Sequence, residues 1–179
     1  MRSGVDINAN LQAAEQLIRV AADEGAHFIA TPEMTHILQR SPKRLFANIK
    51  DEANDLGVKH FADLAKELNI DLLIGSLAIK TGEKRAANRS FLFGSKGETK
   101  TRYDKIHLFD VTVSREETWK ESNVYDRGNQ AVTADIEGAK LGLSICYDLR
   151  FPSLYRHYGQ SGADIIAVPA AFTKPANSG

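Results

Sequence analysis

The chain has 179 residues, of which 42% are hydrophobic and 26% are charged. These proportions are ordinary for a globular protein, so disordered and collagen-like classes are excluded. Its 23 basic residues (Lys and Arg) balance its 23 acidic residues (Asp and Glu), whereas proteins that bind nucleic acid or anionic membranes normally carry a basic excess. We therefore expect one domain over residues 1–179, with neither nucleic acid nor a membrane as its partner.

Hydrophobic periodicity predicts that helices and strands alternate along the chain. A helix over residues 6–24 ends before Gly25, which suits its C-terminal cap. A second helix is predicted over residues 52–68 and a short third one from Pro152. Strands are predicted over residues 27–31, 70–79, 90–93, 99–103, 131–136, 141–146 and 164–168. This order indicates an α/β domain, in which the charged stretch 109–127 is predicted to be irregular.

Both ends of the chain look incomplete for such a domain. The sequence opens almost directly in the helix over residues 6–24, without the strand that usually comes first in an α/β unit. It stops at Gly179, a few residues after a predicted strand and without a closing helix. We therefore interpret the chain as a fragment.

The single cysteine, Cys146, constrains both the compartment and the chemistry. It cannot form an intramolecular disulfide, which favours a reducing, cytoplasmic compartment, and one cysteine is too few for a zinc ribbon or a CxxC redox site. No apolar run approaches the roughly 18–20 residues of a membrane span. The N-terminus also lacks the apolar core of a signal peptide.

Cys146 ends the predicted strand over residues 141–146 and precedes a polar turn and a helix. Open α/β sheets bind ligands at this end of their strands, and the first N–H groups of a turn favour thiolate and oxyanion charge. A reactive thiol is one interpretation, and a buried strand cysteine is the other. A tyrosine-phosphatase loop is excluded, because Pro152 stands where that loop needs arginine.

A thiol nucleophile needs a base, and the sequence offers both histidines and carboxylates. His107 and His157 are possible partners, although none of the five histidines has the spacing of zinc ligands such as HExxH. Glu33 follows one predicted strand and Lys105 follows another, so both lie near strand ends. Taken singly, each of these charged residues is more typical of a solvated loop.

Three sequence strings together point to one family. They read TPE at 31–33, YDKIHLFD at 103–110 and ICYDLRFP at 145–152. In type, order and separation they closely resemble the nitrilase superfamily of carbon–nitrogen hydrolases. The last string looks most like the Nit branch, which includes the ω-amidases and the amidase that acts on deaminated glutathione. The resemblance runs from about residue 3 to the end of the chain.

The resemblance implies a role for each matching residue. Cys146 would be the nucleophile, and Glu33 the general base that takes the thiol proton and later activates water. Lys105 would stabilise the oxyanion together with the backbone N–H of Tyr147, and Glu121 would position Lys105 and the substrate. A neighbouring ammonium favours the thiolate. This chemistry needs neither a metal nor a cofactor.

Other residues receive more modest interpretations. Phe172 and Thr173 fall where the pocket wall of the family lies, so they are candidate substrate neighbours. Asp148 and Arg150 follow the cysteine, and we favour structural ion pairing or helix capping over substrate contact for both.

The implied activity is hydrolysis of a small linear carboxamide to a carboxylic acid and ammonia through a thioester. N-carbamoyl-amine or nitrile hydrolysis with the same triad is one alternative. An inactive, truncated homologue that serves as a binding or interaction module is another. The resemblance also implies a four-layer α-β-β-α sandwich and a homodimer or higher homo-oligomer, with subunits pairing through helices such as the one after Pro152. By comparison with the family, the chain lacks the first strand and the C-terminal third.

Overall fold

The computed structural model describes residues 1–112 and 118–172. The α-helices in these ranges are α1 (Ile7–Asp23), α2 (Pro42–Asn48), α3 (Leu56–Leu68) and α4 (Pro152–Gln160). The strands are β1 (Phe28–Ala30), β2 (Asp71–Gly82), β3 (Arg85–Phe93), β4 (Thr99–Asp104), β5 (Asp110–Thr112), β6 (Thr118–Lys120), β7 (Tyr125–Asp126), β8 (Thr133–Ile136), β9 (Ala139–Leu143) and β10 (Ile165–Ala167). Three short 3-10 turns span Glu52–Asn54, Glu121–Asn123 and Cys146–Arg150.

Two sheets form the centre of the molecule. The first sheet has the strand order β1-β2-β3-β4, and β7 also pairs with β3. Its β1 runs parallel to β2, whereas the pairs β2–β3 and β3–β4 are antiparallel. The second sheet has the order β10-β9-β8, with β9 and β10 parallel. A separate two-stranded hairpin joins β5 and β6.

The two sheets pack face to face around an apolar core. Side chains alternate between the two faces of a strand, so every second residue points into this core. The fully buried members from the first sheet are Leu73, Leu92 and Tyr103, and those from the second are Leu141 and Leu143.

Helices α1 and α3 cover the opposite face of the first sheet. Both are amphipathic, and the core on this side contains Leu11, Ala14, Ile18, Phe61, Leu64, Leu72, Ile74, Phe91 and Phe93. Asp6 caps α1 by accepting the N–H of Ala9. Asn69 ends α3 with φ +53°, a left-handed conformation that asparagine tolerates.

Helix α4 covers the outer face of the second sheet. Gly142 points away from the core between the sheets, and the ring of Tyr158 lies directly against it. The Tyr158 hydroxyl donates to the carbonyl of Leu143 and accepts the N–H of Val132 at 3.2 Å. The layers are therefore α1 and α3, the first sheet, the second sheet, and α4, which confirms the predicted α-β-β-α sandwich.

The structure corrects two predicted elements. The helix predicted over residues 52–68 divides at Asp55, whose extended backbone and side chain cap α3 by accepting the N–H groups of Gly57 and Val58. The stretch predicted to be irregular, residues 109–127, contains β5, β6 and β7. Helix α2 had no sequence prediction.

Within the described ranges, no helix combines the length and apolarity needed to cross a membrane.

Candidate active site

Glu33, Lys105 and Cys146 each follow the end of a strand, and the fold brings them together. Glu33 follows β1, Lys105 directly follows β4, and Cys146 follows β9. The Lys105 ammonium lies 2.8 Å from Glu33 Oε1, although 72 positions separate the two residues in the chain. The charges of both groups act on the Cys146 thiol. The three residues form one cluster, in which Glu33 and Lys105 are buried and Cys146 is partly buried, and we call it the triad cluster.

Glu33 is held in place by the backbone of the neighbouring strand β2. A Cβ on Gly75 would stand 2.2 Å from the carbonyl oxygen of Thr31, so only glycine fits this close approach. The Gly75 N–H donates to Thr31 Oγ1 at 3.0 Å, and the Met34 N–H donates to Ser76 Oγ at 2.9 Å. These contacts fix the chain on both sides of Glu33, which is only 7% exposed.

Lys105 lies between two carboxylates. Its Nζ is 2.8 Å from Glu33 Oε1 and 3.0 Å from Glu121 Oε2. Glu121 Oε2 also accepts the N–H of Phe109 at 2.7 Å, which anchors this second carboxylate. Burial alone would lower the pKa of Lys105, but the charges of Glu33 and Glu121 outweigh it and raise the pKa above its ordinary value. The lysine is therefore a fixed cation.

Cys146 occupies a strained elbow between β9 and the helical turn that follows. Its φ is +46°, in the left-handed region that residues other than glycine rarely adopt, at a cost of about 1–3 kcal/mol. Its N–H donates to the carbonyl of Pro169 at 2.9 Å, so pairing with the segment after β10 continues beyond the end of β9. The predicted strand over residues 141–146 is thus too long, because β9 ends at Leu143.

The environment keeps the thiol protonated at rest. Burial raises the pKa of Cys146 to about 12, and the Glu33 carboxylate acts in the same direction. The Lys105 ammonium lowers the pKa, as the sequence predicted, but burial and Glu33 outweigh it. The thiol consequently needs a base at the moment it reacts.

Tyr147 is the second residue of the 3-10 turn that begins at the cysteine. The first N–H groups of a helical turn have no hydrogen-bond acceptor within the turn itself. The Tyr147 ring packs edge-on against Phe109 and Phe151, with centroid distances of 5.1 and 5.6 Å. These ring contacts fix the orientation of the peptide whose N–H was predicted to bind the oxyanion.

Asp148 ties the cysteine elbow to the segment that carries Lys105. Its Oδ2 accepts the hydroxyl of Tyr103 at 2.6 Å and the N–H of Ile145 at 2.9 Å. Its Oδ1 accepts the N–H of His107 at 2.9 Å and lies 2.7 Å from His107 Nδ1. The carboxylate is fully buried, so it has the structural role that the sequence predicted.

Asp148→Asn is expected to lower the free energy of unfolding by about 2–4 kcal/mol, because one carboxylate oxygen that accepts two donors becomes an NH₂ group. Urea denaturation measures this loss. Asp126→Asn is the matched control, since Asp126 forms a half-exposed pair with Arg85 and should cost less than about 1 kcal/mol. Equal losses for the two variants would contradict the structural role of Asp148.

Several predicted candidates lie away from the triad cluster. His107 stacks on Phe151 with a centroid distance of 3.6 Å, and its Nδ1 faces Asp148, so its ring is engaged elsewhere. His157 is exposed on α4. The side chain of Phe172 is 81% exposed, although the N–H of the preceding residue donates to Glu33 Oε2. Thr173 lies outside the described residues, and Arg150 is exposed.

Sequence reasoning missed Asn88, which contacts both carboxylates of the site. Its Nδ2 lies 2.9 Å from Glu33 Oε1 and 3.0 Å from Glu121 Oε1. It belongs to β3, whose N-terminal part was not predicted, and nothing in the local string distinguishes it from an ordinary strand residue. In the part of the chain that the structure describes, no group of three or more His, Cys, Asp and Glu side chains is arranged to hold a metal ion.

The four-layer sandwich, with a thiol, an ammonium and two carboxylates at converging strand ends, defines a nitrilase-type fold and site. The sequence model of the carbon-nitrogen hydrolase family matches residues 1–179. The chain belongs to this family.

Individual relatives agree with this assignment. The chain is 34% identical over 176 residues to the deaminated glutathione amidase of Yersinia enterocolitica, a match that covers 96% of this chain and 60% of the relative. It is 34% identical over 165 residues to mouse omega-amidase NIT2, covering 91% of this chain and 58% of the relative. The crystal structure of the C. elegans NitFhit protein superposes with a TM-score of 0.88 at 29% identity, covering 97% of this chain and 42% of that one. The chain thus spans less than two thirds of each relative.

Proposed function

We propose that this protein is an amidase that hydrolyses a small linear carboxamide to a carboxylic acid and ammonia through a thioester at Cys146. The observation that carries the proposal is the contact of the buried Lys105 ammonium with Glu33 and Glu121, beside the Cys146 thiol on which the charges of Lys105 and Glu33 act. This arrangement offers a nucleophile, a base and a cation at one point. The names of the amidase relatives support the same class of reaction.

In the first half of the reaction, the Cys146 sulfur attacks the amide carbon while the Glu33 carboxylate takes the thiol proton. The carbonyl oxygen becomes an oxyanion beside the Lys105 ammonium and the Tyr147 N–H. The carbon–nitrogen bond then breaks, and protonated Glu33 returns its proton to the departing nitrogen. Ammonia leaves, and the acyl group remains on sulfur as a thioester.

In the second half, a water molecule attacks the thioester carbon and gives a proton to Glu33. The same cation and N–H group stabilise the second oxyanion. The carbon–sulfur bond breaks, the carboxylic acid leaves, and Glu33 returns the proton to the sulfur of Cys146. The net reaction consumes one water per amide. It requires no metal or cofactor.

Two alternatives keep the same residues but differ in outcome. The triad can act on an N-carbamoyl amine or a nitrile, because the attacked carbon is again electrophilic and bonded to nitrogen. A binding module without turnover is the alternative from a different class. Retention of the buried charges of Glu33 and Lys105 beside Glu121 and Cys146 favours an enzyme, since buried charges are costly to keep without use.

The proposal is tested by assaying ammonia release from short linear amides, matched nitriles and matched N-carbamoyl amines. We expect turnover with the amides and at least about tenfold lower kcat/KM with the other two classes. A preference for nitriles or carbamoyl compounds would replace the amidase assignment by the corresponding alternative. A folded protein without turnover on any of the three classes would support the binding module.

We also propose that residues 1–179 belong to one carbon–nitrogen hydrolase domain, which forms a homodimer or higher homo-oligomer through helices that include α4. An exposed apolar side chain directly before α4 supports this face as the contact, since Leu149 is 53% exposed. Sedimentation should give a dimer or a higher oligomer at micromolar concentration, and a stable monomer would contradict the pairing. The need for a reduced nucleophilic thiol supports a reducing compartment such as the cytoplasm.

A further inference from the structure

Asn88 forms hydrogen bonds with several residues in and around the triad cluster. It lies in β3, and its side chain is fully buried. Its amide nitrogen donates to Glu33 Oε1 at 2.9 Å and to Glu121 Oε1 at 3.0 Å. Its backbone carbonyl accepts the N–H of Lys105 at 3.0 Å. One residue therefore contacts both carboxylates of the site and the backbone of the lysine that lies between them.

The charges of the site explain why such a donor is needed. Glu33 and Glu121 share a single ammonium, that of Lys105, so the three groups together carry an excess negative charge. Two carboxylates beside one ammonium repel each other, so their placement has to be held by further contacts. A neutral amide with two N–H groups supplies one further donor to each carboxylate without adding charge.

The orientation of the Asn88 amide is fixed by these two contacts. Turning the amide over would place its oxygen against two carboxylates, which accept hydrogen bonds and do not donate them. In the observed orientation, Asn88 Oδ1 is buried and has no hydrogen-bond partner among the described residues. An unpaired buried oxygen is destabilising. The donors are thus retained at the expense of stability, which indicates that their task is functional.

We propose that Asn88 is a positioning residue, which holds Glu33 and Glu121 on either side of Lys105 and keeps the Glu33 carboxylate in the orientation in which it can take the thiol proton. The inference rests on the proposed function, since it gives Asn88 the task of positioning the base of that reaction. Asn88 does not contact the reacting atoms in this role. It acts through the two carboxylates.

The test compares Asn88→Leu and Asn88→Asp with the wild-type protein. Leucine has the same branching as asparagine but is larger and removes both donors together with the unpaired oxygen, so the free energy of unfolding of each variant is measured in urea alongside its activity. Aspartate keeps the shape but replaces the donors by a third negative charge. Asn48→Ala is the control, because Asn48 is an exposed residue that donates only to the carbonyl of Arg44 among the described contacts.

Two quantities are measured at pH 7. The first is kcat/KM for the best amide, which should fall about 10- to 100-fold in Asn88→Leu and further in Asn88→Asp. The loss should lie in kcat rather than in KM, because a misplaced base slows proton transfer and leaves substrate binding in place. The second is the rate at which dipyridyl disulfide modifies Cys146, which should change in both variants because the charge of Glu33 acts on the thiol. The control should change neither quantity.

The two measurements separate this inference from the proposed function. Absence of amide turnover in the wild-type protein would count against the function, while the rate of thiol modification would still report on Asn88. An unchanged rate of thiol modification in both variants would overturn the positioning role. A loss of activity that affects kcat and KM alike and is accompanied by a lower melting temperature would also overturn it, because that pattern is typical of a purely structural residue.

Discussion

Cys146→Ala is expected to lower the rate of ammonia release by at least about 10⁴-fold, because the sulfur forms the bond that carries the acyl group. Cys146→Ser should be nearly as inactive, since a hydroxyl is a much weaker nucleophile than a thiol at neutral pH. Steady-state assays with the best amide of the substrate panel measure both losses.

The fold should survive these substitutions. The cysteine has a left-handed backbone that alanine and serine must also adopt, so the strain changes little between the three proteins. As a control, the free energies of unfolding measured in urea should lie within about 1 kcal/mol of the wild-type value. A Cys146→Ala protein that retained one tenth of the wild-type rate would remove Cys146 from the mechanism.

Glu33→Gln is expected to change turnover and thiol reactivity in opposite directions. Turnover should fall about 10²- to 10⁴-fold, because the base that takes the thiol proton is lost. The negative charge of Glu33 raises the pKa of Cys146, so neutralising it lets the Lys105 ammonium lower that pKa. Alkylation of Cys146 by iodoacetamide at pH 7 should therefore become about three- to tenfold faster, after allowing for the weaker intrinsic nucleophilicity of a more acidic thiol.

The sign of the alkylation change is the informative part of this experiment. In the wild-type protein, where the thiol pKa is about 12, the alkylation rate should keep rising with pH up to at least pH 10. In Glu33→Gln the rate should level off at lower pH. Glu67→Gln is the matched control, because Glu67 forms an exposed pair with Arg19. Slower alkylation in Glu33→Gln than in the control would contradict the electrostatic account of the site.

The sequence predicted the residues whose placement depends on strand ends. Glu33, Lys105 and Cys146 follow short apolar runs, and the carboxyl end of such a strand is where a sheet exposes its side chains. The four-layer arrangement followed from the resemblance of three strings to one family. Helix α1 was predicted to within two residues, since its apolar periodicity and its capping residue are both local signals.

The features that were missed depend on contacts between distant residues. Asn88 lies 55 positions from Glu33 and 33 from Glu121, so its two hydrogen bonds leave no trace in the local string. The elbow at Cys146 was predicted as continuing strand, because the pairing of its N–H with Pro169 is set by the neighbouring segment. The raised pKa of the thiol arises from burial, which a sequence does not reveal.

The most direct test of the central claim is the mass of the protein during turnover of a slow amide substrate. Rapid acid quenching followed by intact mass measurement should show a species heavier by the acyl group, and peptide mapping should place that group on Cys146. Ammonia should appear in a burst equal to the amount of this species, and the species should be absent from Cys146→Ala. Steady amide hydrolysis with no acyl group on Cys146 at any quench time, and without a burst of ammonia, would contradict the thioester mechanism.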